Sequence, residues 1–328
     1  MSHVRILNTV FNSPWAIDRP WLGSIFQILH SRMFAAEQDA PGADAATAPI
    51  FAGGRGARGG QFRAARWGKA GRTSLVNHSA RIHAEAARRC GDDSNTFYKI
   101  VQEEESKLEA GQILHVFGSG ILGKHLSSMD EMCAGGLSVD RLQATLKDAR
   151  ADDKVSAIVL HLDTPGGICY GMQETAALVR QIREEKTIVA FCDSLTASAG
   201  IWCTCAAEQF YITPSADVGS VGVYSALVDY SEWCAKQGIK VELIKDGTYK
   251  GAGYPGTAIT EEQRAKIQAD VLQCSAAFKG DVRAGRKGIS DETMQGQCFM
   301  GKSAVGAKLA DHLVMDLEAV LADVATII

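Results

Sequence analysis

The sequence predicts an α/β fold with a mostly parallel sheet. Between residues 110 and 325, short apolar runs alternate with stretches of helical periodicity. One run, "VSAIVLHL" at 155–162, is apolar almost throughout, as a strand buried on both faces of a parallel sheet must be. Turn-forming clusters, "DTPGG" and "DVGSVGV", punctuate the ends of such runs.

Each element has its own signal. "ILHVFGSGIL" reads as a strand. A helix is predicted over Val139 to Arg150, with Ser138 as N-cap and Leu142 and Leu146 one turn apart. After "VSAIVLHL" come a helix over 171–185, the strand "TIVAFC", and a helix beginning near Ser198. Strands follow at "QFYI" and "VGVYSALV", then a helix over Tyr230 to Gln237 and a strand "IKVELI". A long helix covers about Thr260 to Ala284, and a last one Ser303 to Ala310.

The chain divides into three zones: a partly apolar N-terminal region at 1–50, a basic Gly/Arg-rich linker at 51–95, and an α/β domain at 110–325. Residues 51 to 84 hold seven Arg or Lys and no acid, with no persistent apolar period. That composition reads as a solvated linker. Interleaved Arg, Phe and Trp also allow weak contact with nucleic acid.

Bulk composition narrows the function classes. The 328 residues carry a net charge of −4 and 46% hydrophobic content, enough for a sizeable core. No apolar run reaches 18 residues and the N-terminus lacks a secretory pattern, so neither a membrane span nor secretion is expected. The nine cysteines are scattered, and Cys203 and Cys205 are too close for a zinc knuckle. Reduced thiols in a cytoplasmic compartment, with no metal and no cofactor, are the expectation.

Four stretches carry the candidate chemistry. In "DTPGG", Pro165 fixes the chain while Gly166 and Gly167 admit a ligand to the backbone. In "LTASAG", Ser198 stands among small residues at a strand-to-helix turn, where a serine is either an ordinary N-cap or an exposed nucleophile. In "DVGSVGV", Ser220 lies between glycines, as a hydrogen-bonding partner for a reacting pair or as a turn residue. In "IKDGTYKGAGYP", Lys250 is either a solvated side chain or, if desolvated, a neutral amine able to take a proton. The histidines offer less: His312 falls late in the chain, and His161 lies within a buried run where a packed core residue is the simpler reading.

Together these motifs resemble the signal peptide peptidase A family of serine peptidases, within the Clp protease and crotonase-like fold group. The resemblance rests on "HLDTPGG", "ASAG", "GSVGV", a lysine 52 positions after the serine, and the closing "FMGKSAVGAKLADHLV", with Lys308 where the family usually has glycine. It covers about two thirds of the chain. It implies a spiral of ββα units and a Ser-Lys dyad: Ser198 as nucleophile, Lys250 as base, Ser220 orienting the amine. The N–H of Ala199 and that of Gly166 or Gly167 would form the oxyanion hole. Many members have glycine at the position of Ala199, but the backbone donor is kept. The opening "VFNSPWAIDRPWLGSIFQIL" is similar to the tailed-phage branch, the head-maturation and capsid-assembly proteases. That branch implies protein substrates (scaffold, portal or capsid chains, or the protease itself), a homo-oligomer, and action in the host cytoplasm or procapsid. The alternatives are a housekeeping cytoplasmic peptidase of the same family and a non-peptidase crotonase-like or assembly module.

Overall fold

The computed structural model describes residues 15–17, 61–67, 111–126 and 135–328. The first strands are β1 (Trp15–Ile17), β2 (Gln61–Trp67), β3 (Gln112–Ser119), β4 (Ile121–Gly123) and β5 (Gly136–Ser138), leading into helix α1 (Val139–Ala151). Then follow β6 (Val155–Asp163), β7 (Gly166–Ile168), α2 (Met172–Arg183), β8 (Thr187–Cys192), β9 (Leu195–Ala197) and α3 (Ala199–Thr204). The C-terminal part runs β10 (Phe210–Ile212), β11 (Asp217–Gly219), α4 (Ser231–Lys236), α5 (Glu261–Gly285), β12 (Cys298–Met300), α6 (Lys302–Gly306), β13 (His312–Leu313) and α7 (Leu317–Ile327).

The central sheet has the order β13-β10-β8-β6-β3-β2. All its pairs are parallel except β2 with β3. Two smaller sheets, β1-β7-β4-β5 and β12-β11-β9, lie at the ends of the central strands. The chain repeats one move: a central strand, a short strand in a side sheet, then a helix. β6-β7-α2 and β8-β9-α3 are two such units, and β10-β11 begins a third. This is an α/β fold with a mostly parallel sheet and the implied ββα repeat.

Strand alternation explains why the central runs are apolar on both faces. Ile158, Leu160 and Leu162 of β6 join Leu142 and Leu146 of α1 and Val179 and Ile182 of α2 in one buried cluster. Ala157 and Val159 point the other way, to Val189, Phe191 and Tyr211, and are covered by Val320, Leu321 and Val324 of α7. Ser138 caps α1 as its position predicts, accepting from the N–H of Arg141.

Several expectations are corrected. Residues 221–228 and 239–244, read as strands, form none. The extended run of β11 ends at Gly219, paired with Ala197 of β9 and Cys298 of β12, and neither later apolar run joins a ladder among the described residues. Within the segment read as a linker, residues 61–67 form β2, in register along β3 from Gln61 opposite Ser119 to Trp67 opposite Ile113. The rest of 51–95 lies outside the described residues, as does the N-terminal region apart from β1. The last predicted helix is shorter, ending at Gly306, and α7 was not anticipated. The seven described cysteines are free thiols. Among the described residues no helix is long and apolar enough to cross a membrane.

Candidate active site

Ser198 joins β9 to α3 with φ 54° and ψ −114°. Such a backbone is uncommon outside glycine and costs on the order of 1–3 kcal/mol. The residue occupies the N-cap position of α3, yet its side chain makes no capping bond. Its Oγ is buried and has no hydrogen-bond partner. An ordinary N-cap serine satisfies a helix N–H; this hydroxyl does not, and its burial unpaired costs a further ~1–3 kcal/mol.

The surrounding backbone holds this turn from both sides. The N–H of Ser198 donates to the carbonyl of Gly219 at 2.7 Å, and that of Ala197 to Thr164 at 2.9 Å. Thr164 and Thr196 form a parallel bridge, and Thr196 Oγ1 donates to Leu162 O at 2.6 Å. A Cβ on Gly200 would fall 2.5 Å from Thr164 Cγ2, so "ASAG" must end in glycine for the threonine to pack there. Beneath α3, Trp202 stacks on Phe278 of α5 with ring centroids 4.5 Å apart and 8° between planes. Its Nε1 donates to Asp281 at 2.8 Å, and Arg180 of α2 reaches the same carboxylate at 2.9 Å. The helix that starts at Ser198 is therefore fixed at its base.

The "DTPGG" turn lies beside this serine. Gly166 donates its N–H to Thr164 Oγ1 at 3.1 Å. Gly167 packs so closely on β4 that a Cβ would meet Leu122 O at 2.0 Å. Ala199 is the first residue of α3, where backbone N–H groups have no acceptor inside the helix. Ser220 follows Gly219, has its own positive φ of 55°, and donates its N–H to Gln297 O at 2.8 Å.

The structure thus gathers Ser198, Ala199, Gly166, Gly167 and Ser220 but leaves Lys250 apart. Lys250 is exposed, in a local series of turns where its N–H donates to Gly247 O at 3.2 Å. In the stretch 230–254 Ile244 is fully exposed and Tyr230, Trp233 and Tyr254 are about half exposed. His161 is buried, with Nδ1 3.2 Å from His115 Nε2 and Nε2 3.0 Å from Asp193 Oδ1. Both ring nitrogens are engaged there, and none of these contacts involves Ser198. Burial, and then the neighbouring His161, push His115 down to about 4, while the His161 hydrogen bond holds Asp193 below the usual carboxylate range. Sequence reasoning missed Thr164, Thr196 and Gln297, whose parts here rest largely on hydrogen bonds to residues distant in sequence. Among the described residues no group of three or more His, Cys, Asp or Glu is placed to hold a metal ion.

Residues 180–325 match the model of peptidase family S49. The capsid assembly protease C of Escherichia phage lambda is 31% identical over 180 residues, 54% of this chain and 41% of that protein. The head-tail preconnector protein of Enterobacteria phage P21 is 29% identical over 190 residues, 57% of this chain and 38% of that protein. A probable protease SohB from Haemophilus influenzae is 25% identical over 177 residues, covering 53% and 49%. The chain spans about two fifths of the length of the two phage relatives. Among solved structures, a ClpP1 variant from Listeria monocytogenes superposes with a TM-score of 0.38 at 10% identity, over 61% of this chain and 92% of that one. The similarity to peptidase family S49 thus runs from within α2 to within α7.

Proposed function

We propose that the chain is a serine endopeptidase in which Ser198 is the nucleophile and Lys250 the general base. The observation that carries this reading is Ser198 itself: a strained, buried serine at a helix start whose hydroxyl is kept free of any partner. Strain and an unpaired polar atom at one residue mark a site held ready for a ligand. In the proposed reaction the Lys250 amine takes the Ser198 proton as Oγ attacks the substrate carbonyl. The tetrahedral oxygen accepts from the N–H of Ala199 and from that of Gly166 or Gly167. The lysine then passes its proton to the leaving amine, and water releases the acyl group by the reverse sequence.

Lys250 must move to do this. The stretch 230–254, which holds Lys250, carries several exposed large apolar side chains of the kind a second copy would bury, and we infer that assembly of copies brings the lysine in. The names of the phage relatives support a substrate in phage head assembly: scaffold, portal or capsid chains, or this chain itself, cleaved in the host cytoplasm or procapsid. The domain boundaries at 1–50, 51–95 and 110–325 belong to the same proposal. Co-expression with the neighbouring capsid genes, followed by mass spectrometry, tests it. Wild type should yield cleaved head proteins and Ser198→Ala none; identical products from both would overturn the reading.

A further inference from the structure

β7 carries the Gly166-Gly167 pair, and both of its edges are occupied. On one side Leu122 of β4 pairs with Gly167. On the other, β1 runs antiparallel, with Trp15 opposite Ile168, Ala16 opposite Gly167 and Ile17 opposite Gly166. β1 is the outermost strand of that sheet. It is separated from β7 by about 150 residues of sequence, so nothing in local chain connectivity puts it there.

This edge adjoins the nucleophile. β7 begins two residues after Thr164, which bridges Thr196, itself two residues before Ser198. An extended peptide binds a sheet edge by adding one more strand, with main-chain hydrogen bonds providing affinity. In an antiparallel ladder alternate pairs exchange both hydrogen bonds. Either Gly167 or its two neighbours therefore commit their backbone groups to β1. The sequence around β1, "SPWAIDRP", places proline at 14 and 20. Proline cannot donate to a ladder, so the strand is short and does not propagate.

We propose that Trp15–Ile17 is a cis-acting occupant of the peptide-binding edge, so that the N-terminal segment competes with substrate for β7. This rests on the peptidase reading of Ser198, but its first consequence is a binding property that needs no catalysis. A substrate strand must displace β1, and any change that removes β1 opens the edge to other extended peptides.

The test uses full-length chain in the Ser198→Ala background, with Ala16→Pro and Ile17→Pro as two variants. In a strand only one of two neighbouring residues aims its N–H at a given partner, so at least one proline removes a ladder bond. The probes are hydrogen exchange at the Gly166–Ile168 amides and fluorescence anisotropy of a labelled peptide, Ser-Pro-Trp-Ala-Ile-Asp-Arg-Pro. At least one variant should exchange these amides about tenfold faster and bind the peptide about tenfold more tightly than the parent, since each added strand bond is worth on the order of 1 kcal/mol. Unchanged exchange and unchanged peptide affinity in both variants would overturn the proposal. If the binding changes appear but wild-type chain cleaves nothing, the inference stands and the peptidase reading fails. If wild type cleaves peptides and neither variant binds differently, the peptidase reading stands and this inference falls.

Discussion

The backbone N–H of Ser198 donates to the carbonyl of Gly219 at 2.7 Å, which ties the Ser198 turn to the residue just before Ser220. Both serines have positive φ, 54° and 55°. Two strained serines linked through one peptide unit move as a pair. In the proposed mechanism this pair still needs a base.

Removing either member of the proposed Ser198–Lys250 dyad should therefore abolish acyl transfer to the same extent. Ser198→Ala, Lys250→Met and the double variant should each lose on the order of 10³-fold or more in kcat, without additivity, because nucleophile and base act as one unit. Lys250→Arg should be equally inactive, since a guanidinium stays protonated. Ser220→Ala should lose less, as it removes an orienting group and keeps the base. Peptide kinetics read all of these. Mixing Ser198→Ala with Lys250→Met chains tests where the base comes from: recovered activity shows that it crosses between copies, and no recovery places it within one chain. Substantial activity left in Lys250→Met would remove the lysine from the mechanism.

Gly200→Ala should damage both fold and site. The added Cβ would lie 2.5 Å from Thr164 Cγ2, and Thr164 is the residue that joins "DTPGG" to the Ser198 turn. Overpacking of this kind costs about 1–3 kcal/mol. Thermal melting should report that loss, and activity should fall further than stability alone explains because the proposed oxyanion donors shift. Pairing Gly200→Ala with Thr164→Ser, which removes the clashing methyl, should recover much of the melting temperature.

The parts of the site legible in the sequence are those whose signal is local. "LTASAG" and "DTPGG" announce themselves because small residues and a Pro-Gly turn are needed wherever backbone approaches a ligand. β6 and β8 are readable because burial on both faces leaves few polar residues to interrupt the apolar run. The strand readings at 221–228 and 239–244 failed because apolar content alone does not supply a partner edge. β2 was hidden by its own composition: "QFRAARW" looks solvated, yet an edge ladder asks only for backbone N–H and C=O groups. Lys308 illustrates the reverse case. Its φ of 64° explains why glycine is the usual residue there in the family it resembles, a reason visible only once the backbone is known.

Arg286 should prove indispensable to the fold although it takes no part in the chemistry. It is 4% exposed, donates through Nε to Cys205 O at 3.1 Å and through its terminal nitrogens to Ala207 O and the Asp311 carboxylate. Asp311 also accepts the N–H of Phe210 at 2.8 Å, so one carboxylate joins α5, β10 and the entry to β13. Arg286→Ala leaves two carbonyls and a carboxylate without their donor and should destabilise by about 3–5 kcal/mol. Arg286→Lys should be nearly as harmful, because one ammonium cannot replace the forked guanidinium. Chemical denaturation of the two variants measures this, and a loss under about 1 kcal/mol for either would refute it.

Acid should weaken the domain in a window set by His115. Folding pushes this imidazole down to about 4 from its ordinary 6.5, mainly by burial and then by the His161 ring stacked on it at 5.4 Å between centroids; Asp193 opposes the shift. Between pH 6.5 and about 4 the unfolded chain therefore holds a proton that the folded chain does not. Stability falls as pH falls through that window and is fully present above it. The full shift corresponds to at most about 3 kcal/mol. Asp193 acts in a lower range: its depressed carboxyl contributes above about pH 3.8 and loses that contribution only as the pH drops further. The two effects separate on the pH axis. His115→Gln keeps a polar side chain but cannot titrate, so its stability curve should be flatter than wild type between pH 6.5 and 4 and parallel to it below. Urea midpoints measured across that range for both proteins decide the matter: parallel curves throughout would show that His115 does not take up the proton that drives the loss.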